Sequence, residues 1–551
     1  MDNLQSTGAN SAVLDTAHVG DIRGALGTIN HGDVAARSTW RARLLTLLAI
    51  LGPGLIVMVG DNDAGAFATY TQAGQNYGTS LLWTLLLLVP VLYVNQEMVL
   101  RLGAVTGVGH ARLILERFGK FWGAFSVIDL FILNGLTIVT EFIGISLALD
   151  YLGVSKITGV AIAALLTMAA ASTGSFRRFE RFALFLCLGS LLLVPIVLAA
   201  HVSGHQIIRD LTVPNLPDGK LSDILLLIIG IVGTTVAPWQ LFFQQSYVID
   251  KRITPRFIGY EKADLWLGIV LVMIGAIAMM VFCAAIFQGQ PEFGNFTDAG
   301  GIAAGLGKYV SPTMGVLFAI ALIDAAIIGA AAVSLATAYA IGDVLSLNHS
   351  LHRKVGEAKG FYLVYCGLIA AAAALVLIPG SPLGLITLAV QTLAGVLLPS
   401  ATVFLLLLCN DKAVLGPWVN GKLMNLFTGA VIAVLVMLSI ILTASVLYPD
   451  ITGEQILWVL AGGTLLGFAG FVVTATLQRR AKRAPGQSGY PRLLEDDRSK
   501  RLTWRMPPLS DLEPIHLSLS RRVWMIVLRG YLVVAVGMVL VRVVQLALGE
   551  G

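Results

Sequence analysis

Charge is scarce in this chain. Of 551 residues, 13% are Asp, Glu, Lys or Arg, against 56% hydrophobic, where soluble domains carry roughly 25% charged residues. So few charges cannot cover an ordinary water-facing surface, which makes lipid the solvent. Cysteine is scarce too. The four present, Cys187, Cys283, Cys366 and Cys409, lie in or at the end of apolar runs, show no metal-ligand spacing, and read as small packing residues. There is no cleavable signal pattern: residues 1–40 are polar, so the first apolar run is an internal span. HExxH, Gly-x-Ser-x-Gly and any nucleophile–base pair within the spans are also missing, which argues against an enzyme. The net charge of +5 carries no nucleic-acid signal. The sequence shows neither an obligate protein partner nor a cofactor site.

What the chain does have is long apolar runs, such as Leu81–Val94 and Leu184–Ala200. In a bilayer only helices and closed barrels satisfy every backbone group. Barrel strands would show ~10-residue alternating segments, so the fold class expected is an all-α membrane protein. Apolar windows place spans near 45–77, 80–100, 122–150, 157–173, 182–202, 221–248, 264–287, 312–345, 361–378, 383–409, 424–447 and 455–477. A basic segment follows at 478–522. A last apolar run, 523–548 with Arg529 and Arg542, reads as a further span, with an interfacial helix as the alternative.

Every second loop is basic: Arg112/Arg117/Lys120, Arg177/Arg178/Arg181, Lys251/Arg252/Arg256/Lys262, Arg353/Lys354/Lys359 and Lys412/Lys422. By the positive-inside rule the N-terminus and the 478–522 segment are cytoplasmic, in a multi-pass cell-membrane protein. Helix breakers interrupt two spans: Gly52-Pro53-Gly54 and Gly60-Asp61-Asn62-Asp63-Ala64-Gly65 in the first, and Gly233-Thr234-Thr235-Val236-Ala237-Pro238 in the sixth. Two broken helices five spans apart point to an inverted-repeat transporter with its site at the midplane. The organisation expected is a cytoplasmic segment 1–44, five-span repeats over 45–205 and 221–409, two further spans over 424–477, the basic segment, and an apolar helix over 523–551.

An ionisable residue inside a span costs at least ~2.5–3.5 kcal/mol on insertion scales and so marks function by default. Asp61 and Asp63 sit in the broken first span, Glu141 deep in the third, and Asp324 about twelve residues into the eighth. Asp129, nearer the cytoplasmic end of the third, reads as structural or interfacial. No Lys or Arg occupies the middle of these spans, and an interior with several carboxylates and no basic partner wants a cation. The alternatives are that Asp61 and Asp63 cap the broken helix, and that Glu141 and Asp324 are protonated packing residues. Gln391 in the tenth span is as often interhelical glue as a ligand. The sixth-span break offers hydroxyls and carbonyls, Thr234 among them, but no Met, His or Cys. Oxygen-only sites suit Mg²⁺, Ca²⁺ and Mn²⁺.

The stretch from Gly52-Pro53-Gly54 through Asp63-Ala64-Gly65-Ala66-Phe67-Ala68-Thr69, with Gln72-Ala73-Gly74 and Tyr77-Gly78, resembles the first span of the NRAMP metal-ion transporters. The family's Asp-Pro-Gly-Asn motif falls on Asp63, Ala64, Gly65 and Ala66. Glu141-Phe142-Ile143-Gly144 continues the resemblance. The family's Met-Pro-His falls on Ala237, Pro238 and Trp239, and a family glutamine eight residues before a proline falls on Gln391 and Pro399. The resemblance covers roughly spans 1–11. It implies a LeuT-like inverted-repeat bundle and a metal site at Asp63, Asp61, Ala66, Thr234, Ala237 and Gln391. Glu141 and Asp324 would then serve as a charge relay or as outer support.

The departures bear on substrate. The family's asparagine and methionine ligands are Ala66 and Ala237 here, its sixth-span histidines are Trp239 and Gln244, and its additional third-span acid is Ile138. This pattern resembles the NRAMP-related magnesium transporter branch, which implies Mg²⁺ and Mn²⁺ as substrates without proton coupling. The competing expectations are a proton-coupled Mn²⁺/Fe²⁺ importer and a sodium-coupled organic-solute carrier. Asp61 and Asp63 oppose the second, since an organic anion needs a helix N-terminus free of competing acids.

Overall fold

The computed structural model describes residues 15–200, 204–378, 383–447 and 501–515 apart from 503, with scattered positions among 454–465 and 525–541. The expected spans at 455–477 and 523–548 therefore lie largely outside the described residues, as does most of 478–522. In chain order, a small hairpin, β1 (Ile22–Arg23) and β2 (Thr28–Ile29), precedes α1 (Trp40–Ile50), α2 (Pro53–Val59), α3 (Ala64–Tyr77), α4 (Leu82–Thr106), α5 (His110–Phe118), α6 (Lys120–Tyr151) and α7 (Lys156–Ala171). Then come α8 (Phe176–Cys187), a 3₁₀ turn (Leu188–Leu192), α9 (Leu193–Ala199), α10 (Gly204–Thr212), α11 (Leu221–Thr235), α12 (Pro238–Asp250) and α13 (Ile258–Phe287). The described chain continues with α14 (Ala299–Tyr309), α15 (Pro312–Leu345), α16 (Lys359–Val376), α17 (Leu383–Cys409), α18 (Lys412–Leu415) and α19 (Lys422–Leu447).

Among the described residues nine helical stretches are long and apolar enough to cross a membrane, and α1 with α2 makes a further pair, bent by 52°. Leucines and isoleucines such as Leu87, Ile132, Leu165, Leu191, Ile274 and Leu363 face outward and exposed, the belt expected where lipid is the solvent.

The sequence predicts one span over 45–77; the structure divides it in three. Leu51 is extended and Gly52 takes φ +154°, a conformation that L side chains rarely adopt. Pro53 then opens α2, where its missing N–H costs nothing. α1 leaves Trp40, Leu44 and Leu45 exposed and meets α2 at the 52° bend, and α2 is separated from α3 by the turn Gly60–Asp63. The sixth-span break is shorter: Val236 leaves helical geometry, Ala237 is extended, and Pro238 restarts the helix as α12.

α15, 34 residues long and so about 50 Å, packs along α6, and α11 packs along α17. Small residues allow the close approach. A Cβ on Gly233 would lie 2.1 Å from the Gln391 carbonyl oxygen, and one on Gly144 would lie 2.4 Å from the Ala64 methyl. Both halves of the first span pack against α13.

The N-terminal segment shares a face with the basic loops. Arg177, Arg181, Arg252 and Arg256 all donate to carbonyls of residues 17–35, and Arg353 pairs with Asp15 at 2.7 Å. Residues 501–515 lie on the same face, where Ile515 N–H reaches the Arg117 carbonyl and Trp418 reaches that of Arg501.

Candidate metal centre

α2 frays at its end through the bonds Asp61 N–H to Met58 O and Asn62 N–H to Val59 O, which turn the chain. Asp63, extended, then caps α3, its Oδ1 accepting from Ala66 N–H at 2.9 Å. The capping role is therefore real, and it occupies one of the two carboxylate oxygens. Glu141 from α6 approaches the same helix end, its Oε2 accepting from Ala64 N–H at 3.0 Å. Two carboxylates thus meet the positive end of α3. They fit there because α15 presents Gly329: a Cβ at that position would lie 2.8 Å from both Asp63 Cβ and Glu141 Oε2.

Gln391 from α17 closes another side. Its amide lies against Gly65, where a Cβ would meet Nε2 at 1.7 Å and Asp63 Oδ1 at 3.1 Å. That Nε2 is buried without a protein partner, and turning the amide over would present its carbonyl oxygen instead. Thr234, next to the Gly233–Gln391 contact, has a buried Oγ1 with no partner. Ala66 and Ala237 are buried and offer only methyls and backbone.

Asp61 faces a different set of groups. Its Oδ1 accepts from Gln240 Nε2 in the first turn of α12, and Gln240 Oε1 accepts from Gln96 Nε2 of α4 at 2.9 Å. Tyr70 and Thr235 share a hydroxyl bond of 2.7 Å between α3 and α11. Among the described residues, Asp61 Oδ2, Glu141 Oε1, Thr234 Oγ1, Gln96 Oε1 and Gln391 Nε2 find no protein partner although buried. Each such group normally demands an explanation, a bound ion or water being the usual one.

The structure thus gathers Asp63, Glu141 and Gln391 around the start of α3, while Thr234 lies in the last turn of α11 and Asp61 and Ala237 lie toward α12. Asp324 stands apart. It precedes Gly329 by five positions, a rotation of about 140° round the helix, and packs against Gly189 of the 3₁₀ turn before α9. Asp129 lies near Arg529, whose guanidinium sits 3.9 Å from the Phe125 ring centre. Sequence reasoning missed Gln96. The signal was the polar run Asn95-Gln96-Glu97 inside α4, all three buried. Among the described residues no three His, Cys, Asp or Glu side chains converge as a metal cage. An ion here must draw the rest of its shell from amides, hydroxyls, carbonyls and water.

Residues 54–445 match the family model described as natural resistance-associated macrophage protein-like, Nramp. The divalent metal cation transporter MntH of Ralstonia nicotianae is 29% identical over 404 residues, covering 71% of this chain and 89% of the relative. The protein of the same name from Xylella fastidiosa is 28% identical over 466 residues, covering 80% and 92%. Among solved structures, the manganese transporter of Eremococcus coleocola, bound to an aromatic bis-isothiourea compound, superposes with a TM-score of 0.61 at 18% identity, covering 82% of this chain and 97% of that one. That likeness shows a shared fold, the LeuT-like bundle with broken first and sixth spans. The chain belongs to the Nramp family.

Proposed function

We propose that this chain is a secondary transporter carrying divalent metal cations, Mg²⁺ and Mn²⁺, by alternating access and without proton coupling. The observation that carries the reading is the start of α3. There Asp63 and Glu141 converge beside Gln391, and among the described residues no basic side chain is bonded to any of them. The named relatives being divalent metal cation transporters supports the substrate class. Asp63 is the anionic anchor, with Asp61, Thr234 and Gln391 supplying oxygen and Ala66 and Ala237 leaving room. Methionine sulfur would favour softer metals, and Mg²⁺ sheds water reluctantly and keeps several waters when bound. A site with alanines at both positions suits a partly hydrated hard ion. The excess of Arg and Lys on the face that holds the N-terminal segment makes that face cytoplasmic.

A second reading, a proton-coupled Mn²⁺/Fe²⁺ importer, has one observation in its favour: Glu141 lies beside Asp63 at the helix end. Purified protein in liposomes, assayed for Mg²⁺ and Mn²⁺ uptake with a lumenal pH dye, decides between them. Uptake without lumenal acidification supports the first reading; stoichiometric proton entry with Mn²⁺ supports the second and makes Glu141 the carrier.

A further inference from the structure

A hairpin of two-residue strands has little stability of its own, yet residues 15–35 are held firmly across the face that bears the basic loops. The groups holding them are charged. Arg252 donates to the carbonyls of Ala17 (2.7 Å) and Asp21 (3.1 Å), Arg177 to those of Gly24 (2.9 Å) and Gly27 (3.2 Å), and Arg181 to that of Ala25 (3.1 Å). Bonds of this kind at a surface exchange for water at small net cost, and the apolar hold on the segment is confined to Ile22, Ala25 and Ile29, which are buried beside Ala49 and Ile50.

Beneath it lies a buried relay. Glu180 of α8 is fully buried, and one carboxylate oxygen accepts from Ala25 N–H at 2.5 Å. The other accepts from Lys251 Nζ at 2.6 Å, and the same ammonium donates to the carbonyls of Ile50 (2.6 Å) and Leu51 (2.9 Å), where α1 ends. Immediately after, Gly52 and Gly54 N–H both donate to Asp264 Oδ2, at 3.1 and 2.7 Å. One hydrogen-bonded path therefore runs from the hairpin to the hinge of α2, the half-helix that ends two residues short of Asp61.

We propose that residues 15–35 are a latch over this face, and that Glu180 and Lys251 are positioning residues that couple its docking to the position of α2. Docked, the latch holds α2 closed over the metal centre; transport requires it to lift. The idea rests on the transport reading of that centre, so it is tested by one measurement that uses transport and one that does not.

A Cβ on Gly27 would lie 2.9 Å from that of Ala49, close enough that a modest shift permits a disulfide, and the native cysteines are unpaired. In the full chain carrying Gly27→Cys and Ala49→Cys, oxidation should reduce Mn²⁺ uptake at least tenfold and reductant should restore it, while each single variant ignores the oxidant. Equal uptake by the oxidised and reduced forms overturns the latch. Separately, Arg177→Ala with Arg252→Ala touches only the hairpin side. Hydrogen exchange should quicken in residues 53–59 as well as in 17–29. Exchange that quickens in the hairpin alone overturns the coupling, whether or not the protein moves metal.

Discussion

Gln240 donates its side-chain amide to Asp61, tying the first turn beyond the sixth-span break to the residue where the first span unwinds. Gln240 turns its N–H₂ to Asp61 and its carbonyl to Gln96, the arrangement an accepting carboxylate oxygen requires. The amide pair thereby fixes the separation of the two breaks.

Gln240→Ala should strand a buried carboxylate oxygen, lowering stability by about 1–3 kcal/mol and slowing Mg²⁺ uptake more than Gln96→Ala does, because Gln96 reaches Asp61 only through Gln240. Thermal unfolding midpoints and initial uptake rates of the two variants check the order.

Asp63→Asn should abolish Mg²⁺ and Mn²⁺ uptake while keeping the fold, since the amide can still cap α3 through its oxygen. Uptake close to that of the unmodified chain, in a variant that elutes as a monodisperse peak, would show that the anchor lies elsewhere.

Gly329→Ala tests the packing beneath the two carboxylates. Its methyl would press on Asp63 Cβ and Glu141 Oε2 at 2.8 Å, and overpacking of this kind costs about 1–3 kcal/mol. We expect a lowered unfolding midpoint together with weakened metal affinity in a binding titration. Gly259→Ala, where the added Cβ meets nothing within 4 Å, should change neither.

Acid should loosen the N-terminal segment. Burial pushes the His18 imidazole down to about 4, against the pull of Asp250 at 3.5 Å and of Asp15 and Asp343, with the His349 ring nearby adding to the shift. Burial also works against the charged form of His349, but the Asp343 carboxylate at 3.1 Å carries it up to about 9, so it is cationic where His18 begins to titrate. Burial raises Asp15, yet its bonds from Arg353 and Ala17 N–H hold it below the ordinary carboxylate value. A depressed histidine stabilises docking fully above the free value near 6.5 and loses that contribution as pH falls toward 4, at roughly 1.4 kcal/mol per unit. The depressed Asp15 acts in the same direction at lower pH. Hydrogen exchange of residues 17–29, corrected for intrinsic rates, should be faster at pH 5 than at pH 7.5, and His18→Gln should flatten the difference.

Much of the fold was legible because membrane helices announce themselves by length and apolarity; α15 and α17 begin and end where the apolar windows do. The two breaks were visible as Gly and Pro among apolar residues, and Asp63, Glu141 and Gln391 as polar residues in apolar runs. Three things were hidden, each for a physical reason. Hydropathy averages over a window, so it ran α1, α2 and α3 together as one span over 45–77, although the breakers at Gly52-Pro53-Gly54 and Gly60–Asp63 were marked within it. It carries no helical phase relative to neighbours, so Asp324 looked equivalent to Glu141 although it faces Gly189. Long-range pairings such as Glu180 with Lys251, 71 positions apart, leave no local pattern.

Ligand chemistry gives the most direct test of the central claim. On the magnesium reading, the alanines at 66 and 237 leave room for a partly hydrated hard ion, and Mg²⁺ should compete with Mn²⁺. The measurement is Mn²⁺ uptake into proteoliposomes across a millimolar range of Mg²⁺, in the unmodified chain and in Ala237→Met with Ala66→Asn. We expect Mg²⁺ to suppress uptake by the unmodified chain, and the double variant to lose that inhibition while gaining preference for Mn²⁺ and Cd²⁺. Uptake by the unmodified chain that ignores millimolar Mg²⁺ would contradict the magnesium reading and favour the proton-coupled importer.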